Sequence, residues 1–178
     1  MTSRSTFVEY SVPSLPAAVI LTPSSIFVSG VSLTSIPKLL DALTKGFDIA
    51  IGSRWLRAEM QTQRQPLHRQ LFGRIFNLLL RITLGLQYKD TQCGFKAFTQ
   101  QAAQGIFPLQ KIERWGFDPE ILFLARKFGF KVREVPVAWG HSGDTRIHPL
   151  LDGSRMFMEM LRIRWYDLTH RPVSLCGL

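Results

Sequence analysis

The stretch Asp90-Thr-Gln-Cys-Gly-Phe-Lys-Ala-Phe98 guides the interpretation of the whole chain. An acidic residue, a short polar run and a glycine lead into alternating Phe95-Lys-Ala-Phe98, which predicts a loop entering a half-buried strand. Loops at the mouth of a strand are where α/β enzymes place their chemistry. Asp90, Gln92 and Lys96 are therefore candidate site residues. The structural alternative is that Asp90 caps a turn and the glycine supplies a permissive backbone angle.

Composition predicts one globular domain with an anionic partner. The chain has 178 residues, of which 46% are hydrophobic and 20% charged, so it is long enough for a sizeable core. There are 22 Lys+Arg against 13 Asp+Glu, a net charge of +9. Such an excess favours nucleic acid, a phosphorylated small molecule or an anionic membrane as partner. No helix-turn-helix, RNA-recognition or zinc-finger pattern is present, so we expect no nucleic-acid binding.

Cysteine usage and the N-terminal region exclude several classes of protein. Only Cys93 and Cys176 are present, which gives neither a disulfide framework nor zinc-ligand spacing, and a reducing compartment is compatible. From Tyr10 to Pro37 the chain carries no charged side chain, but prolines interrupt this stretch. A membrane span needs about 20 predominantly apolar residues, so both a span and a secretory signal are disfavoured.

The order of elements predicts an α/β fold. A helix is expected from Ser35 at the N-cap to Lys45, followed by a strand over Phe47–Ile51 that ends at Gly52-Ser-Arg54. Helix followed by strand and a polar loop is typical of an α/β sheet. A second helix is expected over 67–84, with apolar residues at helical spacing. These residues are Leu71, Ile75, Leu78, Leu79 and Ile82.

Further elements follow the Asp90 stretch. A short helix is expected over 100–106, and a longer helix with Asp118 at its N-cap and Pro119 at its first position. Residues 131–139 alternate like a strand, in which Pro136 argues for a sheet edge or a strand end. A final helix is expected from Leu150 to about Leu168. It could cover the sheet as an amphipathic helix or lie on anionic lipid, and both could hold together.

Charged residues supply further candidates. Six arginines lie between residues 54 and 81 against one acid, which usually means a solvated helix face. Arg54 differs because it directly follows a predicted strand, at the sheet edge where ligands bind. A phosphate there would meet backbone N–H groups and a guanidinium together. Asp118 and Glu120 have the spacing of a metal-binding carboxylate pair, but on a helix they would not face each other, so a structural role is favoured for Glu120.

Five further features of the sequence occur in a recognisable order and spacing. They are Ile49-Ala-Ile-Gly-Ser-Arg54, Asp90 to Lys96, Trp115-Gly-Phe-Asp118 with Glu120, Val135-Pro-Val-Ala-Trp139, and Leu161-Arg-Ile-Arg164. Together they resemble the second half of a family 2 glycosyltransferase of the dolichyl-phosphate β-glucosyltransferase type. The resemblance covers roughly 36–168, and the run Asp90-Thr-Gln-Cys-Gly-Phe-Lys96 is its most specific part.

The resemblance implies a partial GT-A fold, Rossmann-like, with a mixed sheet flanked by helices. It implies an inverting transfer of a hexose, with glucose as the first candidate in this subgroup, from a nucleotide sugar to a polyprenyl or dolichyl phosphate. The enzyme would be cytoplasmic and peripheral, on the cytoplasmic face of a membrane. Asp90 would lie at the acceptor face and Asp118 would help to build the same pocket, both as catalytic residues. Phosphate and substrate would be bound by Arg54, Arg69, Gln92, Lys96 and Arg146.

The chain departs from the family pattern before residue 36. Relatives carry a preceding nucleotide-binding half that closes on an Asp-x-Asp strand holding Mg²⁺ or Mn²⁺. Here Ser29 and Val31 stand where that motif is expected, and neither can hold a hard cation. We therefore expect residues 1–35 to be an atypical leader, 36–168 the C-terminal portion of the domain, and 169–178 a tail. A rival interpretation is a non-catalytic remnant or accessory module that binds phosphate or membrane.

Overall fold

The computed structural model describes residues 6–10, 18–22, 35–56, 67–112, 116–137 and 149–169. Five strands form one sheet, and five α-helices accompany it in this part of the chain. The strands are β1 (Thr6–Tyr10), β2 (Ala18–Thr22), β3 (Ile49–Ser53), β4 (Lys96–Thr99) and β5 (Val132–Pro136). The helices are α1 (Ile36–Thr44), α2 (Leu67–Leu84), α3 (Gln100–Ile106), α4 (Phe117–Lys127) and α5 (Pro149–Thr169).

The sheet is mixed, with strand order β1-β2-β4-β3-β5. Only the β3–β5 pair is parallel, and the other neighbours run antiparallel. β5 is an edge strand of this sheet and its last residue is Pro136, as the sequence predicts, because proline has no N–H for a further partner. The predicted α/β class, with a mixed sheet flanked by helices as in a partial GT-A fold, is confirmed.

The first 35 residues contribute to this sheet. The sequence predicts no strand there, yet β1 pairs with β2, and β2 pairs with β4 from Ala18 opposite Thr99 to Leu21 opposite Lys96. A stretch rich in Val, Ile and Thr has high strand propensity even without strict alternation. That residues 1–35 differ from the family remains a prediction, but part of them belongs to the same sheet.

Helices cover both faces of the sheet. On one face, Ile49 and Ile51 of β3 and Phe98 of β4 pack with side chains of α2, α4 and α5. On the other face, Ala50 of β3 and Ala97 of β4 pack against α1. β4 is therefore buried on both sides, and Phe95 through Phe98 are all buried. The predicted half-buried strand is wrong in this respect, because a central strand between two helical layers has no solvent face.

The helices begin close to the predicted positions, but the predicted capping interactions at their N-termini differ from those in the structure. Ser35 is the N-cap of α1, as predicted, although its side chain makes no capping hydrogen bond. α4 begins at Phe117 with Gly116 as N-cap, so the prediction of Asp118 as N-cap, with Pro119 as first helical residue, is wrong. The Asp118 carboxylate instead contacts the ammonium of Lys96, because a fully buried charge requires a counterion.

Helix α2 has the predicted bounds but buries a different face. The five apolar residues at helical spacing are 39% to 70% exposed, whereas Leu80 and Leu84 are buried in the core. The helix carries apolar residues on nearly all sides, and periodicity alone does not say which side meets the sheet. The exposed stripe on α2, called the α2 stripe below, consists of Leu71, Ile75, Leu78, Leu79 and Ile82.

Helix α5 shows the same arrangement. Met160 and Ile163 are buried in the core. The Sδ atom of Met160 accepts a hydrogen bond from Thr83 Oγ1 of α2 at 2.7 Å. The α5 stripe is exposed and consists of Phe157, Met158, Leu161, Trp165 and Leu168. Within the described residues, no helix combines the length and hydropathy that crossing a membrane requires.

Candidate active site

The end of β3 brings Arg54 onto Asp90, as the sequence anticipates for two residues at one strand mouth. Arg54 Nε donates to Asp90 Oδ2 at 2.7 Å and Arg54 Nη2 donates to Oδ1 at 2.8 Å. The backbone N–H of Arg54 also donates to Oδ2, at 3.0 Å. This two-pronged geometry is the strongest form of a carboxylate–guanidinium contact. Asp90 is 2% exposed and the Arg54 side chain 27% exposed, so only the arginine reaches solvent to any extent.

The pairing keeps both groups charged. Burial opposes ionisation of Asp90, but the charge of Arg54 and the hydrogen bonds from it outweigh burial and lower the pKa of the carboxyl. Burial likewise opposes the charge on Arg54, and the Asp90 carboxylate more than compensates, raising the pKa of the guanidinium. A carboxylate fixed in this way accepts hydrogen bonds but cannot serve as a proton donor at neutral pH.

Lys96 forms a second ion pair next to the first. Its side chain is fully buried, and its Nζ donates to Asp118 Oδ1 at 2.6 Å and to the carbonyl oxygen of Cys93. Lys96 also lowers the pKa of Asp90 through its charge, so the two pairs lie within electrostatic reach of one another. Arg54, Asp90, Lys96 and Asp118 are called the ionic cluster below. The Lys96 side chain is 0% exposed, and its assignment to phosphate or substrate binding stays a prediction.

The space around the ionic cluster is tightly filled. Cys93 is buried, and burial together with the Asp90 charge raises the pKa of its thiol to about 11, so it stays protonated and unreactive at neutral pH. A Cβ at Gly52 would lie 3.1 Å from Cys93 Sγ and 3.1 Å from Val137 Cγ1. Glycine at this strand position therefore allows the Asp90 loop to approach β3.

Two residues outside the quoted motifs hold the Asp90 loop. Glu134 Oε1 of β5 accepts the backbone N–H of Lys89 at 2.9 Å and of Asp90 at 3.0 Å. Asn77 of α2 donates through Nδ2 to the carbonyl oxygen of Lys89 at 2.6 Å and accepts from Thr91 Oγ1 at 2.6 Å. Sequence analysis missed both, because an asparagine inside a helix and an acid inside a strand are ordinary surface residues until a loop packs on them.

The remaining predicted site residues are placed less completely. Gln92 is half-buried in the Asp90 loop. Arg69 lies within α2, but its side chain is outside what the structure describes, and Arg146 falls wholly outside the described residues. Glu120 has the structural role that its helical position favours: its carboxylate accepts the backbone N–H groups of Lys111 and Ile112 at 2.7–3.1 Å.

The described residues do not fit a divalent cation. Over the described ranges, no group of three or more His, Cys, Asp or Glu side chains could hold a metal ion. Both carboxylates of the ionic cluster already face a cationic side chain, which opposes a further positive charge beside them. Positions 29 and 31, where the Asp-x-Asp motif is expected, lie outside the described residues.

The chain is similar in sequence to several known glycosyltransferases. No protein-family model matches the chain. A dolichyl-phosphate β-glucosyltransferase of Trichomonas vaginalis is 44% identical over 120 residues, covering 66% of this chain and 35% of the relative. The human dolichyl-phosphate β-glucosyltransferase is 33% identical over 68% of the chain, and glycosyltransferase AglD of Haloferax volcanii is 35% identical over 77% of it.

The chain is a relative of the dolichyl-phosphate β-glucosyltransferases. The predicted resemblance to this family is thereby confirmed. The chain spans only part of the length of these relatives, 37% of the human protein and 22% of AglD. Activity, substrates and partners of the whole relatives therefore enter below as proposals.

Proposed function

We propose that the protein acts in the transfer of a hexose, with glucose as the first candidate, from a nucleotide sugar to a polyprenyl phosphate. Similarity to dolichyl-phosphate β-glucosyltransferases carries this proposal. The ionic cluster supports it, since a partly exposed arginine held rigidly at a strand end suits a phosphate. The cytoplasmic face of a membrane is the proposed location.

The proposed reaction requires the two substrates to be positioned and does not require a strong general base. A lipid phosphate is already anionic, so one of its oxygens can attack the anomeric carbon as the bond to the diphosphate breaks and the nucleoside diphosphate leaves. In this proposal Asp90 fixes one edge of the Arg54 guanidinium, which then faces the phosphate groups. Lys96 holds Asp118 beside the same strand end. Fixed charges of this kind lower the barrier because they need no reorganisation during the reaction.

The membrane surface is the proposed location of the acceptor, and two stripes support it. The α2 and α5 stripes are exposed rows of large apolar side chains on neighbouring helices. By helical spacing Arg162 and Arg164, both exposed, flank the α5 stripe on either side. An apolar stripe between basic side chains on a protein of net charge +9 matches the interface of an anionic bilayer. Nucleic acid would use the charges but not the apolar rows.

Turnover by the purified chain tests the proposal. The assay combines nucleotide hexoses, Mg²⁺ and a short polyprenyl phosphate in detergent or vesicles, with the glycolipid product measured by mass spectrometry. We expect product, and we expect Arg54→Ala and Asp90→Asn each to lower kcat/KM by about 10²-fold, the typical cost of losing one fixed electrostatic contact. Asp41→Asn, in an exposed pair with Lys45, is the matched control and should retain activity.

Two results would contradict it. If kcat/KM is unchanged in both variants, the ionic cluster is not the site of transfer. If the chain binds vesicles containing polyprenyl phosphate but forms no product, the rival interpretation as a non-catalytic phosphate- and membrane-binding module is supported.

A further inference from the structure

The α2 helix has two contrasting sides, one exposed and apolar and one buried against the sheet. The α2 stripe is 39% to 70% exposed, while Leu80 and Leu84 on the opposite side are buried against the sheet. By helical spacing Asn77 lies beside Leu80 and Leu84, away from the stripe. A force on the stripe is therefore applied to the same rigid element that carries Asn77.

The Asn77 side chain forms hydrogen bonds with the residues on both sides of Asp90. Its Nδ2 donates to the carbonyl oxygen of Lys89 at 2.6 Å. Its Oδ1 accepts from Thr91 Oγ1 at 2.6 Å and from the Thr91 backbone N–H at 3.4 Å. Thr91 is fully buried, so the two bonds to Thr91 are partly shielded from competing water, whereas the bond to Lys89 is exposed.

Asp90 is thus held by two independent elements. Glu134 of β5 accepts the N–H groups of Lys89 and Asp90 and so ties the loop to the sheet. Asn77 ties the same loop to α2. The bonds to Glu134 belong to the sheet, whereas the bonds to Asn77 belong to a helix whose outer side is an exposed apolar stripe. Any shift of α2 against the sheet must change the bonds at Asn77 before those at Glu134.

We propose that Asn77 is a positioning residue that transmits the seating of the α2 stripe on a lipid surface to the Asp90 loop. When α2 lies on lipid, its motion relative to the sheet is restricted, and Asn77 holds Asp90 in register with Arg54. Without lipid, α2 moves more freely and the loop opens more often. The inference rests on the membrane contact proposed above, and it adds a route by which that contact reaches the site.

Hydrogen exchange of the full chain tests this route without requiring turnover. Backbone amides of 88–92 are followed by mass spectrometry, with and without phosphatidylcholine–phosphatidylglycerol vesicles. In the unmodified protein we expect vesicles to slow exchange at these amides by about tenfold. This is the effect expected when the closed state of the loop is stabilised by the net contribution of about one hydrogen bond. In Asn77→Ala exchange should be faster in buffer, and vesicles should no longer slow it although the protein still binds them.

Two further variants separate positioning from general loosening. Glu134→Ala removes the sheet attachment and should speed exchange in both conditions, while the slowing by vesicles persists because Asn77 remains. Asn77→Asp keeps the acceptor for Thr91 but loses the donor to Lys89, so it should restore part of the effect. It also serves as the informative variant if Asn77→Ala does not fold.

The outcomes are distinct from those of the turnover assay. If vesicles bind but leave exchange at 88–92 unchanged in the unmodified protein, the inference is wrong, whatever the activity. It is equally wrong if Asn77→Ala responds to vesicles as the unmodified protein does, or if vesicles do not bind at all. Absence of glycolipid product with a normal exchange response would instead count against the proposed function alone.

Discussion

At the residue scale, the site is built from charges that neutralise one another. A fully buried ammonium such as Lys96 is unfavourable unless a counterion and further acceptors surround it. Asp118 and the Cys93 carbonyl oxygen supply them. Lys96 and Asp118 differ in exposure, 0% against 22%, and this asymmetry has a measurable consequence.

Substitution of Asp118, the counterion of the buried Lys96, should lower the free energy of unfolding more than substitution of Lys96 itself. Asp118→Asn leaves the Lys96 ammonium buried without its counterion, so we expect the free energy of unfolding to fall by about 3–5 kcal/mol. Lys96→Met keeps the apolar volume and leaves a partly exposed carboxylate, so the loss should be smaller, about 1–2 kcal/mol. Urea denaturation of both variants and of the double variant provides the comparison.

The double variant is the decisive control. Lys96→Met with Asp118→Asn should be more stable than Asp118→Asn alone, because the buried Lys96 ammonium without a counterion is then absent. Additive losses in the double variant would mean that the two side chains do not stabilise each other, and that the ion pair contributes nothing to the fold.

At the element scale, α2 and α5 each use one side for the core and leave an apolar side exposed. Exposed apolar rows on two packed helices are unusual for a water-soluble monomer and mark an interaction surface. Because these side chains touch little of the core, they can be changed without unfolding the protein. That separates their contribution to binding from their contribution to stability.

Polar substitutions in the stripes should weaken vesicle binding. We expect Leu78→Ser with Ile82→Ser on α2, or Leu161→Ser with Trp165→Ser on α5, to lower vesicle affinity at least about tenfold, because each buried apolar side chain contributes about 1.5–3 kcal/mol. Sedimentation with vesicles measures it. Gln101→Ser with Gln104→Ser, on the exposed side of α3, is the control and should bind normally.

Charge reversal distinguishes the two parts of this contact. Arg162→Glu with Arg164→Glu should weaken binding to anionic vesicles by about 2 kcal/mol or more while affecting neutral vesicles little, since each basic residue near an anionic surface contributes about 1 kcal/mol. Unchanged sedimentation with anionic vesicles would remove the lipid role of α5. Unchanged binding after substitution of both stripes would remove the apolar contact altogether.

At the scale of the whole molecule, Asp90 connects elements that are far apart in the chain. Its carboxylate holds Arg54 at the end of β3, and its loop is bonded to Glu134 of β5 and Asn77 of α2. The loop therefore joins the sheet to the outer helix. Loss of the Asp90 charge should affect global unfolding and not only the site.

Acid should reveal this contribution. Arg54 lowers the folded-state pKa of Asp90 below its unfolded value of about 3.9, so the stabilisation is complete above that pH and is lost as the pH falls through the folded-state pKa. Asp90→Asn should be less stable at neutral pH, and its unfolding free energy should decline less steeply below about pH 4. The two curves should converge in acid.

Denaturant titrations at several pH values supply these curves. Asp41→Asn, whose carboxylate is 57% exposed in a surface pair with Lys45, should follow the unmodified protein closely. If the Asp90→Asn curve instead runs parallel to that of the unmodified protein at every pH, ionisation of Asp90 is not linked to folding.

The amino-acid sequence by itself determined the α/β class, most helix and strand positions and the neighbourhood of Arg54 and Asp90. These follow from local signals: the glycines after α1 and within β3, Pro136 at a strand end, and helical spacing in α2. The tertiary structure alone decided that the α2 stripe faces outward, that Lys96 turns inward to Asp118, and that Asn77 and Glu134 hold the Asp90 loop. Periodicity shows which residues share a face of a helix. When a helix is apolar on several sides, only its packing against the sheet and the neighbouring helices decides which side is buried. Charge pairing in turn depends on which loops that packing brings together.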